Sequence, residues 1–399
     1  MSTFAPLWTF CTINDDLLSE STNTAFRFDY VDISNVTPGR ISQNLEETTF
    51  SEAPSRARRL ARPGDVIVST VRTYLRAVAP VYESPRPRVY STGFAVIRPD
   101  DSKSDSRFVR YCFTSDEIID EIIAHSTGVS YPAINAADIA RLRLPLPDLP
   151  TQRRIADYLD RETAQIDAMA ESLDGLVARL EERYARVVEE GTRLDIPHLP
   201  LGYCASIYNG STPSRSRTDF WRDTPGVAWL NSSAVNQVPV TCPSRYVTNT
   251  AISECHLPEV RRGDLLMGIT GQGRTRGMVS ISSIPGTISQ HVASIRLNER
   301  AHPRFMFWVL KSRYGTIRMN SEGSGSTKGA VTLDEIKRIS VPLPPLDEQR
   351  RIADHLDEET AKIDAMIAKV GDLRALLEER RSALITATVT GQHPVPEEP

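Results

Sequence analysis

Apolar residues fall into three patterns along this 399-residue chain. Two stretches carry them at alternating steps of three and four: Ile166, Met169, Leu173, Leu176 and Leu180, and again Ile363, Met366, Val370, Leu373 and Leu377. Such a stripe lies on one side of an α-helix and forms the seam of a coiled coil. No proline occurs between Pro150 and Pro197 or between Pro345 and Pro394. Each stretch therefore predicts one helix of about 40 residues, a rod of roughly 60 Å at 1.5 Å per residue. Thr151 and Asp347 are the candidate N-caps. The second pattern is a short apolar run behind a Gly-Asp turn. Val66-Ile-Val-Ser-Thr-Val and Leu265-Leu-Met-Gly-Ile-Thr both fit it and predict strands. The third is the amphipathic spacing of 107–124 and 303–317, which predicts shorter helices.

These patterns recur because the chain is a repeat. Leu144-Pro-Leu-Pro-Asp-Leu-Pro-Thr-Gln-Arg-Arg-Ile-Ala-Asp-Tyr-Leu-Asp-Arg-Glu-Thr-Ala-Gln-Ile-Asp-Ala-Met169 returns as Val341-Pro-Leu-Pro-Pro-Leu-Asp-Glu-Gln-Arg-Arg-Ile-Ala-Asp-His-Leu-Asp-Glu-Glu-Thr-Ala-Lys-Ile-Asp-Ala-Met366, at a constant offset of 197 residues. Fainter echoes precede each copy: Gly64-Asp65 and Gly263-Asp264, Ile97-Arg98 and Ile295-Arg296, Arg107-Phe108 and Arg304-Phe305. A repeat of this length is one folding unit used twice. The layout is variable domain 1–144, helical spacer 145–195, variable domain 196–341, helical spacer 342–393 and a flexible tail 394–399. Prolines at 145, 147 and 150 and at 342, 344 and 345 mark extended junctions. The expected fold class is α/β: two α/β domains joined by two long antiparallel coiled-coil helices, a pseudo-two-fold internal repeat. The ten seam residues above would form the helix-pair interface. The alternative is that each helix folds back as a flap on its own domain.

Composition narrows the class. With 40% hydrophobic and 25% charged residues the chain is an ordinary globular one. It has no run of about 18 apolar residues and no secretory pattern at its start, so neither a membrane span nor a signal is expected. Five scattered cysteines without a Cys-x-x-Cys pair point to a reduced protein and to no metal site; Cys255-His256 has no second pair to complete one. The net charge of −4 argues mildly against nucleic acid, but charge is segmented. Residues 53–98 hold nine arginines against two acids, and 259–338 hold thirteen Lys/Arg against six acids. Basic faces on a chain of neutral average still suit phosphates.

Four segments carry candidate contacts with DNA. Thr270-Gly-Gln-Gly-Arg-Thr-Arg-Gly277 offers Gln272, Arg274 and Arg276, side chains fit for base edges or phosphate, and its counterpart offers Ser69, Thr70, Arg72, Tyr74 and Arg76. The plain alternative is a hairpin with solvated arginines. Ser324, Ser326, Thr327 and Lys328 in a Gly/Ser loop, with Thr127, Ser130 and Tyr131 opposite, suit phosphate through hydroxyls and backbone N–H groups, or are simply a flexible loop. The order of residues is not that of a nucleotide-binding phosphate loop. Asn209-Gly-Ser-Thr-Pro-Ser-Arg215 contributes Ser211, Thr212, Ser214 and Arg215; the tryptophans beside it fit a core better than a base-stacking platform. Gln290 and His291 close the set, the first suited to adenine, the second equally suited to a buried structural role.

No catalytic residues emerge. There is no Asn/Asp-Pro-Pro-aromatic motif, no Gly-x-Gly-x-x-Gly behind a strand and no His/Cys cluster at metal spacing. Glu335-Ile-Lys337 has the form of some nuclease sites, but its repeat mate, Asp138-Ile-Ala140, lacks the lysine.

The two Pro-Leu-Pro-x-x-x-x-Gln-Arg-Arg-Ile-Ala modules, from Pro145 and Pro342, resemble those of specificity subunits of type I restriction–modification systems. So do Asn209-Gly-Ser-Thr-Pro-Ser-Arg215, Tyr30-Val-Asp-Ile-Ser-Asn-Val36, Gly263-Asp-Leu-Leu and Leu384-Ile-Thr-Ala-Thr-Val-Thr-Gly391. The resemblance covers essentially the whole chain; the first domain departs from it by lacking Gly-x-Thr-Pro-Ser-Arg. It implies two target recognition domains, each reading half of a gapped double-stranded DNA site, with the helices setting the gap. It implies two modification subunits that methylate adenine at N6 with S-adenosylmethionine, and motor-nuclease restriction subunits that use ATP and Mg2+. No cofactor is implied for this chain, which would be a non-catalytic cytoplasmic subunit. A methyltransferase reader without restriction, a pure assembly scaffold and an enzyme in its own right are the rival readings.

Overall fold

A computed structural model describes residues 4–128, 131–223, 225–271, 273–322 and 329–396. The chain forms two compact units, one of Met1–Asp174 with Gly371–Pro399, the other of Gly175–Val370. Each holds one variable domain together with a part of both long helices.

In the first unit, strand Val66–Ser69 lies between Phe94–Pro99 and Val78–Pro80 in an antiparallel sheet, with Cys11–Ile13 beyond Phe94–Pro99. All four residues of Val66–Ser69 are buried. Alternate side chains of a strand point to opposite faces, and here both faces are covered. Val66 and Val68 enter a core with the helices, while Ile67 enters a second core on the other side. The run is therefore apolar throughout rather than alternating, and the strand is two residues shorter than the apolar pattern suggests. A second four-stranded sheet has the order Glu46–Thr49, Arg27–Val31, Arg88–Ser91, Ala57–Arg59, its central pair parallel. The amphipathic stretch is split into α1 (Ser106–Thr114) and α2 (Asp116–Ala124). Ser115 is extended there, and its hydroxyl donates to the Cys112 carbonyl at 2.7 Å, which ends α1. Then come α3 (Ala136–Arg141) and a strand, Arg143–Pro145, that pairs with Phe4–Pro6. This pairing brings the start of the domain to its end, at the foot of the long helix α4 (Leu149–Thr192).

The second unit repeats this plan. The sheet order Ala205–Asn209, Val292–Leu297, Leu265–Gly268, Val279–Ile281 matches the first sheet strand for strand. Leu265 and Met267 face the helix-side core and Leu266 the other. A mixed sheet runs Trp221–Arg222, Arg245–Val247, Val227–Leu230, Gly286–Ile288. A short α5 (Asn249–Glu254) is followed by α6 (Pro303–Ser312) and α7 (Tyr314–Glu322), again a split helix, and by α8 (Leu333–Arg338). His198–Pro200 pairs with Ser340–Pro342 ahead of α9 (Leu346–Val389).

Both long helices run 44 residues and lie antiparallel in each unit. In the first, Asp167 faces Arg381 at 3.4 Å and Asp174 pairs with Arg374, so seven residues forward on one helix match seven back on the other. In the second, Arg183 faces Glu359 at 3.9 Å. The core of the first unit takes Ile155 and Leu159 from α4 and Ile385 and Val389 from α9. That of the second takes Val188 from α4 and Ala353 and Leu356 from α9. The flap alternative, in which each helix serves its own domain alone, is excluded within both units. The tail from 394 is held down as far as it is described: Val395 packs on the first core, and His393 meets the Tyr158 hydroxyl at 3.1 Å.

The caps and half of the seam differ from the sequence expectation. Asp148, not Thr151, caps α4, its carboxylate accepting from Thr151 N at 3.1 Å. Proline is tolerated in a first helical turn, where N–H groups lack partners anyway, so α4 begins ahead of Pro150. Asp347 likewise lies inside α9 and pairs with Arg350 at 3.0 Å. Ile166, Leu180, Ile363 and Val370 are buried, and Leu173 and Leu377 are half-buried, as the seam requires. Met169, Leu176, Met366 and Leu373 are exposed by 51, 38, 42 and 50%. The buried stripe of α4 steps through Thr163, Ile166, Ala170, Leu173, Val177 and Leu180. Positions three and four apart are both neighbours on a helix, and the seam takes the small Ala170 and Val177 in place of the longer side chains beside them. Ile363→Ala should therefore cost about 3 kcal/mol and Met366→Ala less than about 0.5 kcal/mol in chemical denaturation. Equal costs would contradict this seam.

Two repeated latches hold each variable domain on its helices. The buried Gln152 accepts from Asp105 N (2.9 Å) and donates to the carbonyls of Lys103 (3.1 Å) and Pro147 (2.8 Å). Gln349 does the same with His302 N (2.7 Å) and the carbonyls of Arg300 (2.9 Å) and Pro344 (2.7 Å). Beside it, Arg107 bridges Asp157 and Asp160, as Arg304 bridges Asp354 and Asp357. The Gly-Asp turn is a third repeated device. Gly64 and Gly263 take φ of +95° and +89°, where glycine is free of a Cβ clash. The aspartate after each is buried and holds an arginine: Asp65 with Arg98 at 2.7 Å, Asp264 with Arg296 at 2.9 Å.

Candidate nucleic-acid interface

The second variable domain carries a wired polar tip. Residues 289–292 form a tight turn between strands of its two sheets. Ser289 N donates to Leu230 O at 2.9 Å, Val292 N to Ser289 O at 3.2 Å and Ile269 N to His291 O at 3.0 Å. Gln290 and His291 thus project from a backbone held on both sides, and both are exposed. The loop 209–215 closes on this turn through Ser211 N to Ile288 O, at 3.1 Å. A Cβ on Gly210 would lie 1.9 Å from the Ile288 carbonyl oxygen, so only glycine permits the approach. Two indoles staple the loop from below: Trp229 Nε1 donates to Ser211 O at 3.2 Å and Trp221 Nε1 to Ser214 O at 3.1 Å, their rings meeting edge to face at 5.2 Å. The tryptophans are framework, as their expected core role requires.

This packing places four side chains in one hydrogen-bonded line. Thr212 Oγ1 donates to Gln290 Oε1; Gln290 Nε2 and His291 Nε2 are hydrogen-bonded at 3.1 Å; His291 Nδ1 and Thr270 Oγ1 are hydrogen-bonded at 2.7 Å. Three segments that the sequence offers separately are brought together here. The basic loop continues from Thr270. Tyr314 donates to Arg274 O at 2.7 Å and Arg318 to Gly273 O at 2.5 Å, which leaves the Arg274 side chain exposed. Arg215 and Ser214 are exposed as well. Arg276 departs from expectation: it is only 3% exposed, with its guanidinium against the backbone of Gly329. The chain reverses at Gly277 (φ +84°) and turns Arg276 inward as a strut under the loop.

The first domain builds its tip differently. Thr70 Oγ1 donates to Gly93 O at 2.9 Å, and Arg72 N donates to Pro132 O at 2.8 Å. A single 3-10 turn, 73–75, is flanked by Arg72 and Arg76, both left-handed at φ of 52° and 51°. Non-glycine residues held there are strained, and such strain gathers at functional sites. The Arg72 guanidinium stacks 5.0 Å from the exposed Tyr131 ring, and Tyr74 is 53% exposed. The neighbouring Leu75 is also exposed, a feature that an apolar residue in a short loop did not announce. Thr127 and Ala133 exchange backbone hydrogen bonds at 2.9 Å and close the loop that presents Tyr131. Ser91-Thr92-Gly93 occupies the sheet position of Ser289-Gln290-His291, so the wired line has no counterpart.

Two further expectations are corrected in this domain. Ser69 is buried and donates to Val71 O at 2.6 Å, because the strand keeps both faces covered to its last residue. Arg76 is committed to Asp116 and to Asp120 (2.7 Å) of α2. Of the remaining candidates, Ser130, Gln272, Ser324, Ser326, Thr327 and Lys328 lie outside the described residues.

Among the described residues no group of three His, Cys, Asp or Glu side chains is arranged to hold a metal ion, and no helix is long and apolar enough to cross a membrane. Cys11, Cys112 and Cys204 are core residues, and burial pushes the Cys11 thiol up to about 12. Burial likewise lowers the Lys311 ammonium, which sits over the rings of Tyr184, Phe307 and Trp308 at 4.7, 5.5 and 4.9 Å. That cage ties α6 to α4.

Comparison with known proteins agrees with this architecture. The family model for the type I restriction modification DNA specificity domain matches residues 30–176 and 204–369. The chain is 24% identical over 353 residues to the putative type I restriction enzyme MjaX specificity subunit of Methanocaldococcus jannaschii, covering 82% of this chain and 78% of that one. It is 20% identical over 228 residues to the EcoR124I/EcoR124II specificity subunit of Escherichia coli, and that match spans about half of the relative, 55% of each chain. A chain from a structure of the type I R-M system, determined for its complex assembly and conformational transition, matches with a TM-score of 0.78 at 25% identity over 97% of both chains. One matched segment falls on each variable domain with the start of its helix, and together they cover well over half of the sequence: the chain belongs to the type I restriction modification DNA specificity domain family.

Proposed function

We propose that this chain is the DNA-reading, non-catalytic specificity subunit of a type I restriction–modification complex, and that each variable domain reads one half of a gapped double-stranded site. One observation carries the reading. The framework of the two domains repeats down to Gln152/Gln349, Asp65/Asp264 and Arg98/Arg296, while the tips at the same sheet position differ. One tip is Arg72 on Tyr131 and the other is the Thr212–Gln290–His291–Thr270 line. A shared scaffold with unlike polar tips is what two half-sites of different sequence call for.

The helices support the assembly. Met169 and Leu176 on α4 and Met366 and Leu373 on α9 occupy equivalent repeat positions and are exposed. Exposed apolar side chains at matched places suit two copies of one partner, and we assign them to two modification subunits. S-adenosylmethionine belongs to those subunits, which methylate adenine at N6. ATP and Mg2+ belong to restriction subunits that cleave unmodified DNA. The complex works in the cytoplasm, where its substrate lies.

The test is DNA binding by the chain assembled with its modification subunits. The complex should prefer its own site, and its affinity should fall steeply with salt. Arg72→Ala and Arg274→Ala should each weaken binding about five- to tenfold and lower the salt slope by about one. Unchanged affinity and slope in both variants would remove these arginines from the interface. A complex indifferent to DNA would remove the function.

A further inference from the structure

We propose that Gln290 is a base-reading residue of the second variable domain and that the base it reads is an adenine, approached from the major groove, with Thr212, His291 and Thr270 as its positioning residues. The proposal rests on the reading of the chain as a DNA specificity subunit and adds which group reads and what it reads.

A glutamine side chain has two N–H donors and two acceptor lone pairs. In Gln290 one lone pair receives the Thr212 hydroxyl and one N–H is given to His291 Nε2. One donor and one acceptor remain on the same planar group, in an exposed residue. Adenine offers the complement in the major groove, N7 as acceptor and the N6 amino group as donor. Guanine offers two acceptors there, N7 and O6, and would set one of them against the amide oxygen.

The wiring is costly to build for a surface glutamine without a ligand. It needs Gly210, whose Cβ would overlap the Ile288 carbonyl, and two indoles that hold the loop bearing Thr212. It also needs the buried Ser289 to fix the turn. A side chain held in its binding rotamer in advance loses less freedom when it binds. The first domain, with Thr92-Gly93 at this position, has no such reader and must use other groups.

The experiment uses the full chain assembled with its modification subunits and a duplex carrying the methylated site of that complex. Each adenine of the site is replaced in turn by 7-deazaadenine, which lacks the N7 acceptor. We expect one adenine, in one half-site, at which the replacement weakens the wild-type complex about ten- to a hundredfold. Gln290→Ala should weaken binding to the natural site by a similar factor and be indifferent to 7-deazaadenine at that position alone. Thr212→Val should fall between the two. If Gln290→Ala keeps its full sensitivity to every 7-deazaadenine, or loses affinity equally for unrelated DNA as a phosphate contact would, the proposal is wrong while the DNA-reading function stands. A wild-type complex with no preference for its site overturns both.

Discussion

Gln349→Leu should destabilise the protein by about 4 kcal/mol, one of the largest effects open to any single substitution in this chain. Leucine matches the volume but makes none of the three hydrogen bonds. It strands His302 N and the carbonyls of Arg300 and Pro344 at a fully buried site. Each polar group left unpaired in the interior costs about 1–3 kcal/mol, and local relaxation recovers part of the sum. The loss approaches the whole stability of an ordinary domain, about 5–15 kcal/mol. Gln152→Leu should behave alike, since Asp105 N and the carbonyls of Lys103 and Pro147 depend on it. Arg351→Leu is the control. It sits two residues along the same motif, is exposed and pairs with Glu348 at 3.3 Å, so its cost should stay below about 0.5 kcal/mol. Chemical denaturation of the three variants decides the matter. A cost under about 1 kcal/mol for Gln349→Leu would show that the glutamine does not hold the domain to its helix.

Gly210→Ala should abolish reading by the second domain while the fold survives. The added methyl group would meet the backbone carbonyl of Ile288 at 1.9 Å, so the loop must lift away from the turn. Thr212 then loses Gln290, and the line to Thr270 loses its anchor. The loop lies at the surface, and stability should fall by only about 2 kcal/mol, as for other local strain. Discrimination against a scrambled half-site should fall at least about tenfold for the domain concerned, while the other half-site is read as before. Competition binding with duplexes scrambled in one half-site at a time gives both numbers. Full discrimination by Gly210→Ala would mean that the wired line is not part of the interface.

What the sequence makes legible depends on the kind of interaction. The repeat, the two long helices and the strands behind Gly-Asp were legible because periodicity and identity are local signals. The seam was half legible. Ile166 and Leu180 were right for a 3.5-residue period, but the choice between Met169 and Ala170 depends on how close the partner helix comes. Small side chains won that choice. Cap positions failed for a similar reason: a first turn that contains Pro150 reads as a break unless the carboxylate of Asp148 is seen beneath it.

The proposed interface was approached by segment rather than by residue. Arg72, Arg274 and Gln290 are exposed as expected, yet Arg76 and Arg276 are not. An arginine that contacts a phosphate and one that braces a loop look the same in sequence. Only the acids of α2 and the backbone at Gly329 tell them apart. The buried glutamine of the Gln-Arg-Arg module was the reverse case: its recurrence was plain, but its function as a backbone clamp was not, since its partners are all main-chain groups.

The most direct test of the account is a methylome. This chain would be expressed with its modification subunit in a host free of adenine methylation, and N6-methyladenine mapped across the genome. The account predicts one motif of two short, unlike half-sites around a gap of fixed length, with variants of the tip near Arg72 altering one half and variants near Gln290 the other. An intact complex that leaves no methylation, or that marks a motif without two halves, would contradict it.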